Sequence, residues 1–84
     1  MNQLAETPSL QRLDLRGLDP PEPMRRALEA VEALKSGETL QIITDREPLL
    51  LYRELDRRGH SHASESDPEG FRTTIGRSGK EGAQ

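Results

Sequence analysis

Two histidines are the side chains of this 84-residue chain whose spacing most resembles a binding site. His60 and His62 are two positions apart, which places both imidazoles on one face of an extended strand, and three carboxylates follow by residue 69. Imidazole and carboxylate groups at such spacing can bind a transition metal. Two polar residues on a solvent-facing edge strand are the more common meaning of this pattern. We therefore expect no metal and no cofactor, and keep His60 and His62 only as weak candidate ligands.

Nucleophilic and acid–base chemistry have little support in the sequence. The chain contains no cysteine, which excludes thiolate nucleophiles, disulfides and thiolate metal sites. Asp45 and Glu47 are close enough for acid–base work, but turn and helix-capping roles explain them better. The serines lie in turns or in a polar strand, without a histidine–acid pair that would activate them. We therefore expect a protein that is not an enzyme.

Composition limits the partners that the chain can bind. Charged residues make up 32% of the sequence and the formal net charge is -3, so no general attraction to nucleic acid is expected. Tyr52 and Phe71 are the only aromatic residues, too few for a base-stacking surface. The N-terminal residues lack a signal-peptide pattern, and no apolar run approaches the ~20 residues that span a bilayer. The prediction is a monomeric cytoplasmic protein with an unidentified protein partner.

A cluster of prolines marks the strongest local feature, the sequence "RGLDPPEPM" at residues 16–24, here called the elbow. Three prolines fall within four positions, directly before a stretch with helical periodicity. The first turn of a helix needs no N–H donors, so prolines suit a strand-to-helix joint. Exposed amides at this joint can also hold an anion, although the prolines remove several of them. The candidate partner- or ligand-binding residues are Arg16, Gly17, Leu18, Asp19, Pro20, Pro21, Glu22, Pro23 and Met24.

Hydrophobic periodicity predicts six elements. They are a strand over 11–17, a helix starting within 21–24 and closed by Gly37, a strand over 38–45, a helix over 46–59, and strands over 60–66 and 70–75. The apolar stripe of the first helix comprises Met24, Ala27, Leu28, Val31 and Leu34, and Lys35 is placed in its last turn. The stripe of the second helix comprises Leu51, Tyr52 and Leu55 with Leu50 or Leu49, and Gly59 closes that helix.

This order, β-α-β-α-β-β, predicts an α/β (α+β) two-layer sandwich. Each β-α-β unit favours a right-handed crossover, so both helices cover one face of a four-stranded mixed sheet. The other face stays open and is expected to carry Arg12, Asp14, Arg16, Ile43, His60 and His62. The domain is predicted over 11–76, between a disordered tail at 1–10 and a flexible tail at 77–84.

The elbow and the following strands resemble a known family. "LDLRGLDPPEPM" is similar to the Leu-Asp-x-x-Gly-Leu-x-Cys-Pro-x-Pro signature of the TusA/SirA-like sulfur carriers, and "GETLQIITDREP" is similar to their Gly-Glu-x-Leu-x-Ile strand and Asp-Pro turn, with about one extra residue in the turn. The matching positions are Leu13, Asp14, Gly17, Leu18, Pro21, Pro23, Gly37, Glu38, Leu40, Ile42, Asp45 and Pro48. The resemblance covers roughly residues 12–76 and implies the same two-layer sandwich.

Pro20 is the informative departure from that signature. It stands where the sulfur carriers have the cysteine that holds a persulfide, and no other residue of this chain can replace a thiol. The sequence is similar to a cysteine-less, uncharacterised branch of the superfamily, with PPEPM in place of Cys-Pro-x-Pro. The expected function is therefore a non-catalytic protein- or ligand-binding module. The alternatives are an adaptor or regulator in sulfur-transfer or redox pathways, and a metal-binding module using His60 and His62.

Overall fold

The computed structural model describes residues 10–77, and its elements follow the predicted order. They are β1 (Leu10–Asp14), α1 (Glu22–Glu32), β2 (Thr39–Thr44), α2 (Leu49–Arg58), β3 (Ser61–Asp67) and β4 (Gly70–Gly76). The predicted tails fall largely outside the described residues, although Leu10, assigned to the first tail, begins β1. Neither helix within residues 10–77 has the length and hydropathy needed to cross a membrane.

The four strands form one mixed sheet in the order β1-β2-β4-β3. β1 and β2 are parallel, whereas β4 pairs with both β2 and β3 in antiparallel orientation. The parallel pair requires the α1 crossover, and the β3–β4 pair is a hairpin whose turn contains Pro68. The predicted fold class is confirmed: two helices and a four-stranded mixed sheet.

The core lies between the helices and one face of the sheet. Pairing places Leu13 opposite Ile42 and Leu40 opposite Ile75, so these side chains share the helix-covered face. The buried core residues are Leu15, Ala27, Val31, Leu34, Leu40, Ile42, Leu51, Leu55 and Ile75. Most of them are aliphatic side chains that the two predicted helical stripes and the strand alternation had placed inside.

α1 ends earlier than its apolar pattern predicted. The helix ends at Glu32, and the N–H of Leu34 donates to the carbonyl oxygen of Val31, so Leu34 is buried from outside the helix. Lys35 therefore lies in a turn and not in the last helical turn. Gly37 has a φ of +88°, but it serves the tight turn in which the Glu38 N–H donates to the Lys35 carbonyl. The early end lets the chain reverse into β2.

The first turn of α2 differs from the predicted stripe. Leu51 and Leu55 are buried, and Gly59 ends the helix as predicted, in the left-handed conformation. Leu49 and Leu50 remain 59% and 67% exposed, so the prediction that one of them joins the core is wrong. The reason is their position: this first turn lies beside the elbow instead of packing over the sheet.

The two histidines lie on the opposite side of the sheet from the predicted one. His62 pairs with the buried Ile75, and its ring stacks on Tyr52 of α2 at a centroid distance of 5.0 Å. His60 is buried just before β3, and its Nε2 lies 3.5 Å from a carboxylate oxygen of Glu32. The prediction failed because strand alternation fixes only relative faces, and the pairing of β3 with β4 turns the even-numbered residues toward the helices.

Candidate functional site

The elbow forms the N-terminus of α1 as predicted. Pro21 is the N-cap residue, and the helix begins at Glu22, inside the predicted interval. The Glu22 N–H donates to the Asp19 carbonyl over 2.9 Å, and Pro23 has no N–H to donate. The Pro20–Pro21 peptide bond is cis. With these amides used or missing, the helix start is a poor anion site.

A second loop faces the elbow and is joined to it by a hydrogen bond. Gly17 donates its N–H to Oδ2 of Asp45 over 2.7 Å, which connects the end of β1 to the loop between β2 and α2. At the start of this loop the hydroxyl of Thr44, the last residue of β2, donates to the Arg46 carbonyl over 2.7 Å. Gly17 has a φ of +82°, a conformation in which glycine avoids the strain of a side chain. The Gly17–Asp45 hydrogen bond therefore holds the elbow against the loop between β2 and α2.

Between these segments lies a largely apolar cavity of about 720 Å³, which we call the elbow groove. Its floor includes the buried side chains of Leu15, Ile42 and Leu51. The half-buried Met24 lies on the elbow side, and the exposed Leu50 lies on the α2 side. The groove is at the carboxyl ends of the parallel strands β1 and β2, where ligands commonly bind in open α/β sheets.

The structure brings seven of the nine predicted elbow residues to this groove: Gly17, Leu18, Asp19, Pro20, Pro21, Pro23 and Met24. Arg16 does not line it, because its guanidinium binds the Asp14 carboxylate at 2.7 Å on the open face of the sheet. Glu22 does not line it either, because its carboxylate is held by Arg25 and Arg26 on the outer surface of α1.

The arginines at the two ends of the elbow, Arg16 on one side and Arg25 and Arg26 on the other, are already paired with carboxylates. Hydrogen bonds from Arg25 and Arg26 lower the pKa of Glu22 to about 2. Hydrogen bonds from Arg16 likewise lower the pKa of Asp14 to about 2. Since these arginines are occupied by carboxylates, they offer little free positive charge for an anion. The elbow is therefore better suited to apolar contacts than to phosphate binding.

Sequence reasoning missed the second wall of the groove. Leu49 and Leu50 lie on it, and Asp45 fastens it to the elbow. A signal was present in the run of three leucines at positions 49–51, because helical periodicity can place only part of such a run against one core. Asp45 had been assigned a turn or capping role, whereas its carboxylate links two loops.

The open face of the sheet carries a smaller cavity of about 290 Å³, with several charged side chains in its lining. Arg12, Asp14, Arg16 and Ile43 line it, as predicted for this face, and Arg72 joins them. Arg72 forms an ion pair with Asp67 at 2.8 Å. Most of these charges are paired with each other or with neighbouring residues, so they are not free to bind a ligand.

The two histidines are held by carboxylates of different helices. Nε2 of His62 lies 2.8 Å from Asp56 of α2, while His60 lies next to Glu32 of α1. Within residues 10–77, no group of three or more histidine, cysteine, aspartate or glutamate side chains is arranged to hold a metal ion. The predicted pairing of His60 with His62 on one open face is thus not formed.

The sequence was compared with known proteins, with solved structures and with models of protein families. Searches of curated proteins and of solved structures found no match to this chain. One family model does match, that of an uncharacterized conserved protein (DUF2249), over residues 12–77. This range includes both walls of the elbow groove and every element from β1 to β4, apart from the first two residues of β1. The chain belongs to the DUF2249 family.

Proposed function

We propose that this protein is a non-catalytic binding module whose elbow groove docks a segment of a partner protein. The observation that carries the proposal is the exposure of Leu49 and Leu50 at the mouth of an apolar groove. Within residues 10–77, the only other large hydrophobic side chain that is exposed is Leu10. Two adjacent exposed leucines beside a groove are typical of a surface that a partner covers.

Burial of these leucines is large enough to support binding. Complete burial of a leucine stabilises by about 1.5–3 kcal/mol. Because Leu49 and Leu50 are 59% and 67% exposed, a partner that covers both gains about 2–4 kcal/mol from them. That free energy corresponds to about 30- to 1000-fold in affinity. The groove walls are fastened together before binding by the Gly17–Asp45 hydrogen bond, which reduces the entropy lost on docking.

A role as adaptor or regulator in sulfur-transfer or redox pathways is the second candidate. It rests on the resemblance to the sulfur carriers and on one position, since Pro20 lines the groove at the place where those carriers have their cysteine. Such an adaptor binds the enzymes of the pathway and carries no sulfur, because the chain has no thiol. The cytoplasmic location and the monomeric state expected from the sequence belong to the same proposal.

The test compares two sets of leucine variants in quantitative co-purification. The groove variant combines Leu49→Ser with Leu50→Ser, and the control is Leu10→Ser, which changes a leucine of β1 that is 48% exposed and does not line the groove. We expect wild type and the control to retain the same partners and the groove variant to lose them, while the groove variant still unfolds cooperatively above the temperature of the assay. Partners that remain bound to the groove variant would contradict the proposal. Recovery of sulfurtransferases among the lost partners would favour the adaptor role.

A further inference from the structure

The mouth of the elbow groove carries an excess of negative charge. Its charged lining residues are Asp19, Asp45, Glu47 and Arg46, and all four are exposed. At neutral pH they sum to three negative charges and one positive charge. The groove therefore presents an apolar interior with acidic groups at its entrance.

The three carboxylates form no ion pair, a property that they share with Glu38 and Glu65 elsewhere in the described residues. In the part of the chain described, from 10 to 77, no salt bridge involves Asp19, Asp45 or Glu47. Asp45 accepts a hydrogen bond from a neutral backbone N–H, and Glu47 lies 3.4 Å from the Tyr52 hydroxyl. By contrast, arginines pair with Asp14, Glu22, Glu29, Glu32, Glu54 and Asp67. Of the five carboxylates in residues 10–77 that form no salt bridge, three therefore lie where the apolar groove opens.

From this charge pattern we infer that the docked segment combines apolar side chains with flanking lysines or arginines. The inference rests on the docking function proposed above and specifies its partner. A partner with neutral flanks would partly desolvate the carboxylates without pairing them, which costs free energy. An acidic partner would be repelled. A basic partner forms the ion pairs that the fold itself leaves open, and it is attracted to the groove before contact.

The expected size of this effect is modest and measurable. Each exposed ion pair contributes little to binding, so loss of two carboxylates should weaken binding by about 2- to 30-fold. Salt should reproduce the loss, because raising ionic strength from about 0.01 M to about 1 M shortens the Debye length from about 30 Å to about 3 Å.

The experiment selects peptides with the whole protein. A random peptide library displayed on phage is depleted on the Leu49→Ser, Leu50→Ser variant and then enriched on the wild-type chain. The recovered sequences should combine leucine, isoleucine, methionine or phenylalanine with lysine or arginine, and should lack acidic residues. The Kd of one recovered peptide is then measured with Asp19→Asn, Glu47→Gln at low and high salt. The matched control is Glu29→Gln, Glu65→Gln, which removes the same charge from exposed positions outside the groove lining.

The outcomes separate the inference from the docking function beneath it. Basic peptides whose Kd rises with salt and with loss of Asp19 and Glu47, but not in the control, support the inference. Groove-dependent peptides without a basic bias, or with a salt-independent Kd, overturn the inference while docking stands. Recovery of no groove-dependent peptide overturns both. Equal weakening in the control and groove variants overturns the inference too, because it would reflect net charge alone.

Discussion

Alanine substitutions at Leu50 and Leu55 compare a groove leucine with a core leucine in the same helix. Leu55 is fully buried between α2 and the sheet, whereas Leu50 is 67% exposed. Removing a buried leucine side chain costs about 3–5 kcal/mol, since both its transfer free energy and a cavity are involved. Leu50 buries about a third of its surface, so Leu50→Ala should cost less than about 1 kcal/mol. Alanine also favours the helix slightly, which reduces that cost further.

These costs give clearly different unfolding curves. A chain of this size has a total free energy of unfolding of about 4–13 kcal/mol, so Leu55→Ala removes a large share of it. At about 4–8 °C per kcal/mol, Leu55→Ala should lower Tm by about 12 °C or more and Leu50→Ala by less than about 8 °C. Urea unfolding and thermal unfolding, both followed by circular dichroism, measure the difference. If Leu50→Ala cost as much stability as Leu55→Ala, Leu50 would be needed for folding and would not be available to a partner.

Two further predictions concern the backbone and the response to acid. Gly70→Ala should destabilise by about 2–6 kcal/mol, because a Cβ there would overlap the backbone oxygen of Thr44 at a φ of +140°. Gly17→Ala should cost only about 1–2 kcal/mol, since its φ is +82° but its Cβ meets open space; equal urea midpoints for the two would contradict this. Hydrogen bonds, chiefly from Arg57, lower the pKa of Glu54 from 4.5 to about 2. Because the folded-state pKa of Glu54 is lowered, its ionised carboxylate stabilises the fold above about pH 4.5, and this stabilisation is lost as the pH falls toward 2. Glu54→Gln lacks this carboxylate, so the variant should lose less stability than wild type over that range. Identical acid unfolding curves for the two proteins would contradict this prediction.

The order of elements was predictable because local signals agree with the fold. Leu15 of the first strand pattern, Ala27 and Val31 of the first helical stripe and Leu55 of the second are buried in the structure, and Leu13 packs against them. Prolines at the helix start and Gly59 at a helix end use conformations that few other residues adopt easily. Where the hydrophobic period, the turn residues and the helix-boundary residues all indicate the same element, its type can be predicted from the sequence.

The groove and the histidine faces depend on pairing that no local pattern contains. Leu49 and Leu50 satisfy a helical period as well as Leu51 does, and only the position of the elbow decides which of them is buried. In the same way, the face of His62 is set by its register with Ile75 in β4. The Gly17–Asp45 hydrogen bond joins residues 28 positions apart. Such contacts follow from tertiary packing, so the run of three leucines indicates only that part of it stays outside the core and does not place the second wall beside the elbow.

Site-specific photo-crosslinking is the most direct test of whether the elbow groove contacts a partner protein. A photoreactive amino acid replaces Leu50 in the groove or Leu10 in β1, both exposed leucines, and the chain is irradiated in cells. We expect a discrete crosslinked partner from position 50, absent from position 10 and absent when Leu49→Ser is added. Crosslinks of equal intensity and identity from both positions, or none from position 50 while position 10 gives a partner, would contradict it.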